Sequence, residues 1–241
     1  MFQPVRVTRA SDGIIHQIKE SIFAGNLPSG HALPSEKELA EQFKVSRITV
    51  RDALRVLESQ GLIQIKVGAR GGAFVARPGT GPVSESLTNM LRLQQATLHD
   101  LVEARILVEP HVASIAAQRA TPEDVRAMED AITAARGART SGDRYFIPSS
   151  VAFHLALAEA AKNPVLLSAV NSFRALFHEA LEALLPADDM ADRAISDHQR
   201  ILEAIRARDG VQARDLMHEH LSYFAARVGE GGTPGRRSTA G

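Results

Sequence analysis

Apolar residues near the start of the chain recur at the spacing of core-facing helices. In the first such segment, the apolar side consists of Ile14, Ile15, Ile18 and Ile22. Ser11 is a predicted N-cap for this helix, and Gly25 is its predicted end. The next segment, LPSEKELAEQF over residues 33–43, has Ser35 and Glu38 at the capping-box spacing. The pattern therefore predicts two short helices separated by a turn.

The stretch VSRITVRDALRVLESQGLI, residues 45–63, predicts a third helix directly after the second. Its predicted buried stripe follows the i, i+3, i+4, i+7 spacing and consists of Val50, Ala53, Leu54 and Leu57. Ser46 is the predicted N-cap, and Gly61 the predicted C-terminal stop. Because so short a turn joins the second and third helices, they form a predicted helix-turn-helix.

A β-hairpin is predicted behind the third helix. Residues 62–67, LIQIKV, alternate and are rich in β-branched side chains; GARGG at 68–72 is a turn, and AFVA at 73–76 is the return strand. Three helices followed by a hairpin make a winged helix-turn-helix, whose last helix enters the major groove of DNA. We expect Gly68 to let the wing tip approach a minor groove closely, although a plain hairpin loop also explains this glycine-rich segment.

The third helix carries a basic ridge beside its apolar stripe. Arg47, Arg51 and Arg55 are each four residues apart, so they lie on one side of the helix. Such a ridge also suits a solvated surface helix, but its position in a helix-turn-helix favours DNA contact. Arginine can grip a guanine edge or a phosphate with two hydrogen bonds, and Ser46 and Thr49 offer hydroxyls at the positive end of the helix.

Helical periods continue over most of the remaining chain, and no convincing strand is predicted there. The predicted helices cover 84–95, 98–119, 122–138, 144–162, 165–184, 189–208 and 211–228. Pro110 lies inside the second of them and is expected to kink it or to end it early. The predicted fold class is therefore mainly α, with a winged helix-turn-helix followed by an all-helical bundle of six or seven helices.

The domain limits follow from this pattern. We predict a winged domain over residues 8–77, a linker over 78–84, a helical domain over 85–228 and a disordered tail over 229–241. The linker is placed by the Pro, Gly and Ser content of ARPGTGPVSE, residues 76–85.

Composition and charge narrow the class of protein. With 241 residues, 44% hydrophobic and 23% charged, the chain is long enough for two folded domains. The absence of cysteine excludes disulfides and thiolate metal sites. We expect a cytoplasmic protein, because the sequence has neither a membrane-length apolar run nor a signal-peptide core. The formal net charge is zero, yet residues 1–78 contain 11 basic and 7 acidic residues, which indicates an anionic partner for the first domain.

Three histidines of the helical region lie on or beside the apolar sides of separate predicted helices: His154, His198 and His220. Any one of them can be a satisfied core histidine. Together, three inward imidazoles can form a site for Zn²⁺ or a similar ion with open positions for water or a ligand. Spacing by itself leaves both interpretations open.

Arg105 lies between Leu101, Val102 and Val108 on another apolar face. A buried guanidinium requires a counter-ion. Glu109, one turn later, and the carboxylate of a bound ligand are the two alternatives.

The first domain resembles the DNA-binding signature of GntR-type bacterial transcription regulators. The resemblance runs through residues 11–76 and is carried by LPSEKELAEQFKVSRITVRDALRVLESQGLI. It implies DNA contact by Lys37, Ser46, Arg47, Thr49 and Arg51 and by the wing around Gly68. Many members of this family have arginine where this chain has Lys37. Lysine lacks the two-pronged donor of arginine, so base selectivity at that contact is expected to be lower.

Three segments of the helical region resemble the all-helical FCD effector domain of the FadR-like branch of the same family. They are DLVEARILVEPHVASIAAQRAT, FHLALAEAAKNPVLL and ARDLMHEHL. The resemblance implies a homodimer and an organic-acid effector facing Arg105. It also implies a divalent metal ion, such as zinc or nickel, held by His154, His198 and His220. The metal-binding type has aspartate where this chain has Ser150, so either a three-histidine site or a pocket that works without metal is expected.

The predicted function is an effector-responsive transcription regulator, most often a repressor in this family, that binds a pseudo-palindromic double-stranded operator and is not an enzyme. A small carboxylate bound by the helical domain would change its operator affinity. The main alternative is a metal-dependent hydrolase with an accessory DNA-binding domain, in which three histidines activate water. A further alternative is an architectural DNA-binding protein without effector control, but the large helical domain argues against it.

Overall fold

The computed structural model describes residues 10–68, 71–77, 81–141, 146–184 and 188–231. The chain divides into two compact units, Met1–Val83 and Ser84–Gly241. The elements of the first unit are α1 Ala10–Phe23, α2 Glu36–Phe43, α3 Arg47–Ser59, β1 Ile63–Lys66 and β2 Gly72–Val75. The predicted order of three helices and a hairpin is therefore confirmed.

The core of the first unit is built on α3. The predicted stripe Val50, Ala53, Leu54 and Leu57 is buried in full. It packs against Ile14 and Ile18 of α1 and Leu39 of α2. Each fully buried Val, Leu or Ile contributes about 1.5–3 kcal/mol, so the stripe fixes the side of α3 that faces solvent. The prediction of Ser11 as an N-cap is wrong, because α1 begins at Ala10 and already includes Ser11.

The wing is an antiparallel pair in which Ile63 lies opposite Val75 and Lys66 opposite Gly72. An isolated bridge between Ala32 and Phe74 ties β2 to the segment before α2. The wing is thereby anchored to the helix-turn-helix at its base.

The elements of the second unit, with the helix that leads into it, are α4 Gly81–Leu93, α5 Leu98–Arg119, α6 Pro122–Ser141, α7 Phe146–Ala160, α8 Pro164–Leu184, α9 Asp188–Arg206 and α10 Gly210–Gly231. All seven predicted helices are present. Within the described residues, β1 and β2 are the two strands of the chain. None of the described helices has the length and apolarity that crossing a membrane requires.

Three predicted limits change. Helix α4 begins at Gly81, so the second half of the predicted linker 78–84 is helical. Helix α6 continues through Gly137 to Ser141, because one helical glycine costs only about 1 kcal/mol. Helix α10 extends to Gly231, and residues 232–241 of the predicted disordered tail lie outside the described residues.

Helix α5 also does not end early at Pro110, and it runs unbroken from Leu98 to Arg119. A proline inside a helix removes one hydrogen bond and costs about 3 kcal/mol. Burial offsets this cost, since Pro110 itself and its neighbours Glu109 and Val112 are all buried. Packing on both sides of the proline holds the helix together.

Helix α5 is the centre of the second unit and contacts α7, α8, α9 and α10. Its approach to the start of α10 is close. A Cβ on Gly210 would lie 2.9 Å from the carbonyl oxygen of Ser114. Because α5 touches each helix that carries one of the three histidines, its own polar residues can reach them.

Candidate functional site

Two caps fix the turn between α2 and α3. Ser35 and Glu38 form the predicted capping box at the start of α2. Lys44 ends α2 in the left-handed conformation, with φ of 55°. The Ser46 hydroxyl accepts a hydrogen bond from the backbone N–H of Thr49 at 3.1 Å. The start of α3 is thus set by local interactions that the sequence predicts.

The arginine ridge is exposed, as its position opposite the stripe requires, but it is not free. Arg51 donates from Nε and Nη2 to the two carboxylate oxygens of Glu36, at 3.0 and 2.7 Å. Nη2 of Arg47 lies 3.6 Å from the same Oε2 atom. Arg55, by contrast, has no ion-pair partner in the part of the chain that the structure describes. The sequence does not reveal the role of Glu36, because its contact with Arg51 joins two different helices.

The other predicted DNA contacts lie on the same unit. Lys37 is exposed on α2 and pairs loosely with Glu41 at 3.9 Å. The hydroxyls of Ser46 and Thr49 are 2.9 Å apart at the start of α3. Gly68 has φ of +119°, which glycine adopts easily. The tighter steric requirement is at Gly71, where a Cβ would lie 2.4 Å from the carbonyl oxygen of Lys66.

In the second unit, the three predicted histidines come together. His154 of α7, His198 of α9 and His220 of α10 are all buried, and one ring nitrogen of each lies within 4.8 Å of the others. The rings of His154 and His220 are stacked, with centroids 5.3 Å apart. Phe153 stacks on His198 at 4.1 Å and closes one side of the cluster.

The spacing of two of the nitrogens suits a metal ion. Nε2 of His154 and Nε2 of His198 are 3.2 Å apart. Two ligands of a tetrahedral zinc ion, each roughly 2.0–2.1 Å from the metal, are separated by roughly 3.3 Å. Without a cation between them, one of the two atoms must carry a hydrogen, since two lone pairs repel. The donor set therefore fits a divalent ion.

Two carboxylates orient the outer nitrogens of these imidazoles. Oε2 of Glu109 lies 2.5 Å from Nδ1 of His154, and Oδ2 of Asp197 lies 3.5 Å from Nδ1 of His220. A proton on Nδ1 leaves the Nε2 lone pair free to bind a metal. Arg193 in turn donates to Asp197 at 2.9 Å. This is the carboxylate–histidine arrangement that supports ligands in metal sites.

Burial keeps two of the imidazoles neutral. It lowers the pKa of His154 to about 4, although the carboxylate of Glu109 acts in the opposite direction. The pKa of His198 is likewise lowered by burial, and next by the nearby imidazoles of His220 and His154. Metal ions bind the neutral form of histidine, so both side chains are available near neutral pH without losing a proton.

The two carboxylates are held in their charged forms. Burial alone would raise the pKa of Glu109, but the charge of Arg105 and the hydrogen bonds from His154 and Arg105 outweigh it and lower that pKa. Burial also opposes ionisation of Asp197, and hydrogen bonds from His220 and Arg193 outweigh it. Both carboxylates can therefore accept hydrogen bonds from the imidazoles beside them.

Arg105 is buried, with 4% of its surface exposed, and its counter-ion is Glu109. Nε of Arg105 lies 2.5 Å from Oε1 of Glu109, and the guanidinium carbon lies 3.9 Å from the ring centre of Phe177. Of the two alternatives left open by the sequence, the structure contains the internal pair.

A cavity of about 20 Å³ adjoins this pair, which is room for about one water molecule. It is lined by Arg105, Glu109, Val151, His154, Leu155, Val170, Phe173 and Phe177. Ser150 lies on α7 one turn before His154 and is partly buried. The sequence does not reveal the contact of Glu109 with His154 or that of Asp197 with His220, because each joins helices that are distant in sequence. The i, i+4 spacing of Arg105 and Glu109 indicated the ion pair of these two residues, but no sequence signal indicated Asp197.

A winged helix-turn-helix with an exposed basic helix, joined to a helical unit with a buried polar cluster, defines a DNA-binding transcription regulator with a ligand-binding domain. Family models support the same division. Residues 10–75 match the bacterial regulatory proteins of the gntR family, and residues 100–223 match the FCD domain. The chain belongs to the GntR family and carries an FCD effector-binding domain.

Individual relatives agree with this assignment. The chain is 32% identical to the HTH-type transcriptional regulator LutR of Bacillus subtilis, over 82% of this chain and 91% of the relative. It is 31% identical to the putative L-lactate dehydrogenase operon regulatory protein of Escherichia coli, over 89% of this chain and 84% of the relative. The structure of Streptococcus agalactiae GntR superposes with a TM-score of 0.67 at 27% identity, covering 90% of this chain and 98% of that one. These names describe regulators, so the protein is not an enzyme, and the hydrolase alternative is not supported.

Proposed function

We propose that the winged unit reads a pseudo-palindromic operator as part of a homodimer and represses transcription in the bacterial cytoplasm. A twofold protein matches a twofold DNA site, with one α3 helix in each major-groove half-site. The repressor role is supported by a relative, the HTH-type transcriptional repressor NanR of an Enterobacter species, which is 29% identical over 93% of this chain.

In this proposal, Arg47 and Arg51 contact base edges or phosphates from the exposed side of α3. Ser46, Thr49 and Lys37 contact phosphates around the start of that helix, and the wing at Gly68 follows the minor groove. The observation that supports these roles is the complete burial of the opposite side of α3, which leaves the arginine ridge as its exposed side.

Replacing Arg51 with alanine is expected to weaken binding to a specific DNA duplex by about 1–3 kcal/mol, because one two-pronged contact is lost. The probe is a duplex that the parent protein selects from a random-sequence library, and the measurement is its dissociation constant at fixed salt. Arg55→Ala is the matched control, since Arg55 is an arginine of the same ridge without an ion-pair partner among the described residues. Equal losses for the two variants would contradict a special role for Arg51.

We further propose that the effector is a small organic acid whose carboxylate binds a divalent metal ion held by His154, His198 and His220. The observation that carries this proposal is the meeting of three buried imidazoles, oriented by Glu109 and Asp197. Histidine binds a metal ion in its neutral form and so brings no charge to it. Glu109 and Asp197 are already paired with Arg105 and Arg193. With Ser150 in place of an acidic ligand, a bound dication keeps its charge and favours an anion.

In this proposal the metal ion, and not Arg105, binds the carboxylate of the effector. Since Glu109 already neutralises Arg105, the guanidinium no longer requires an external carboxylate. Nη1 of Arg105 makes no hydrogen bond within the described residues and remains a donor for the far end of an effector. The cavity beside Arg105 holds about one water molecule, so the effector has to displace side chains such as Phe173 on entry.

The test of this proposal is the effect of small carboxylates on binding to the selected duplex. L-lactate is the first probe, because one relative is named as a putative regulator of an L-lactate dehydrogenase operon. We expect an active carboxylate to change the affinity of the zinc-loaded protein for the duplex about tenfold, and to have no effect after chelation of the metal. The same response with and without metal would contradict the metal-bound effector and favour a metal-free pocket.

A further inference from the structure

Glu36 of α2 is in direct contact with the predicted DNA-reading residue Arg51. Its two oxygens accept hydrogen bonds from Nε and Nη2 of Arg51 at 3.0 and 2.7 Å, and Oε2 also lies 3.6 Å from Nη2 of Arg47. The carboxylate is 30% exposed, so solvent and DNA can reach it. It is ionised near neutral pH, because the hydrogen bonds from Arg51 lower its pKa.

The geometry of this contact decides which donors of Arg51 remain for DNA. A guanidinium has two edges that can each donate two parallel hydrogen bonds: the Nε–Nη2 edge and the Nη1–Nη2 edge. Glu36 occupies the first edge. The second edge is left, and it offers the paired donors that match O6 and N7 of guanine in the major groove.

The charge of Glu36 acts in the same direction. Phosphate contact supplies most of the sequence-independent affinity of a DNA-binding protein. One carboxylate between Arg47 and Arg51 cancels part of their attraction for phosphate and restrains Arg51 from turning towards the backbone. It lowers affinity for all DNA, while a correctly placed guanine still binds the free edge.

We infer that Glu36 is a specificity-determining residue of the DNA-binding unit, which holds Arg51 with its Nη1–Nη2 edge available for a guanine and suppresses contacts of Arg47 and Arg51 with phosphate. This inference rests on the proposed role of Arg51 in DNA reading.

The experiment compares Glu36→Gln with the parent protein on two duplexes, one selected by the parent from a random library and one of scrambled sequence. Glutamine keeps the size of the side chain but removes its charge. We expect binding to the scrambled duplex to tighten and the slope of log affinity against log salt to become steeper by about one, as one more phosphate is contacted. The affinity for the selected duplex divided by the affinity for the scrambled duplex should fall about tenfold. Glu20→Gln is the matched control, because Glu20 is an exposed glutamate of the same unit without an ion pair among the described residues.

Each other outcome overturns the inference. If Glu36→Gln weakens both duplexes by the same factor, Glu36 only supports the fold, and a lower melting temperature would accompany this loss. If neither affinity changes relative to Glu20→Gln, Glu36 does not act on DNA binding. Glu36→Asp, which keeps the charge on a shorter side chain, shows whether reach is also required: it should restore the shallower salt slope without restoring the full affinity ratio.

The double variant Glu36→Gln/Arg51→Ala separates this inference from the proposed function. If Glu36 acts through Arg51, its effect on the affinity ratio should vanish once Arg51 is removed. If Arg51→Ala no longer distinguishes the selected from the scrambled duplex while Glu36→Gln still does, the inference is overturned but the proposed function stands. An unchanged affinity in Arg51→Ala would overturn the reading role of Arg51 itself.

Discussion

Replacing Glu109 with glutamine is expected to lower the free energy of unfolding by about 3–5 kcal/mol, because it leaves a buried cation without its counter-ion. Glu109 is 1% exposed and contacts both Arg105 and Nδ1 of His154. Glutamine retains one acceptor oxygen but carries no charge. Urea denaturation of the metal-free protein measures the change, read as a shift of the midpoint at constant slope.

The control for this variant is Glu103→Gln, six residues earlier on α5 and exposed. Its effect is expected to stay within about 0.5 kcal/mol. The double variant Glu109→Gln/Arg105→Met should recover much of the lost stability, since it removes the unpaired charge as well. A midpoint for Glu109→Gln equal to that of Glu103→Gln would mean that Glu109 is not the counter-ion on which Arg105 depends.

Replacing His220 with alanine is expected to lower the affinity for zinc by more than about 100-fold, a larger loss than removal of a supporting residue causes. Only two of the three proposed ligands would remain. The measurements are the metal content of untagged protein purified without chelator and a competition titration with a chelator of known affinity. His218→Ala is the matched control, because His218 is an exposed histidine two residues earlier on the same helix.

One metal ion per chain in the parent and in His218→Ala, with none in His220→Ala, would show that three histidines suffice without an acidic ligand at position 150. Equal metal content in the two alanine variants would place any ion elsewhere. Absence of metal from the parent itself would contradict the proposed centre. Effectors would then be sought among anions that the pocket binds directly.

The local elements of the fold follow closely from the sequence. The capping box of Ser35 and Glu38, the cap at Ser46 and the stripe from Val50 to Leu57 all form as predicted. Such features depend on residues within one or two helical turns. Their hydrogen bonds and periodicity are therefore set before any distant contact forms.

Two of the limits predicted from Pro and Gly residues differ from those in the structure. Pro110 favours a break, yet α5 continues because its surroundings bury it on both sides. The glycine and proline content of residues 78–84 favours a linker, yet α4 begins at Gly81. In α5, a local preference of about 1–3 kcal/mol is outweighed because many buried side chains pack together.

The sequence by itself determined the winged helix-turn-helix, the seven helices that follow it, and the residue types of the two candidate sites: the arginine ridge and the three inward histidines. Tertiary structure alone decided how these residues pair. His154, His198 and His220 of three helices lie together in the folded protein. Arg105 pairs with Glu109, and Glu36 of α2 pairs with Arg51 of α3. The physical reason is range: periodicity fixes which side of a helix is buried, but the partner that a buried charge or an imidazole finds there depends on how whole helices pack.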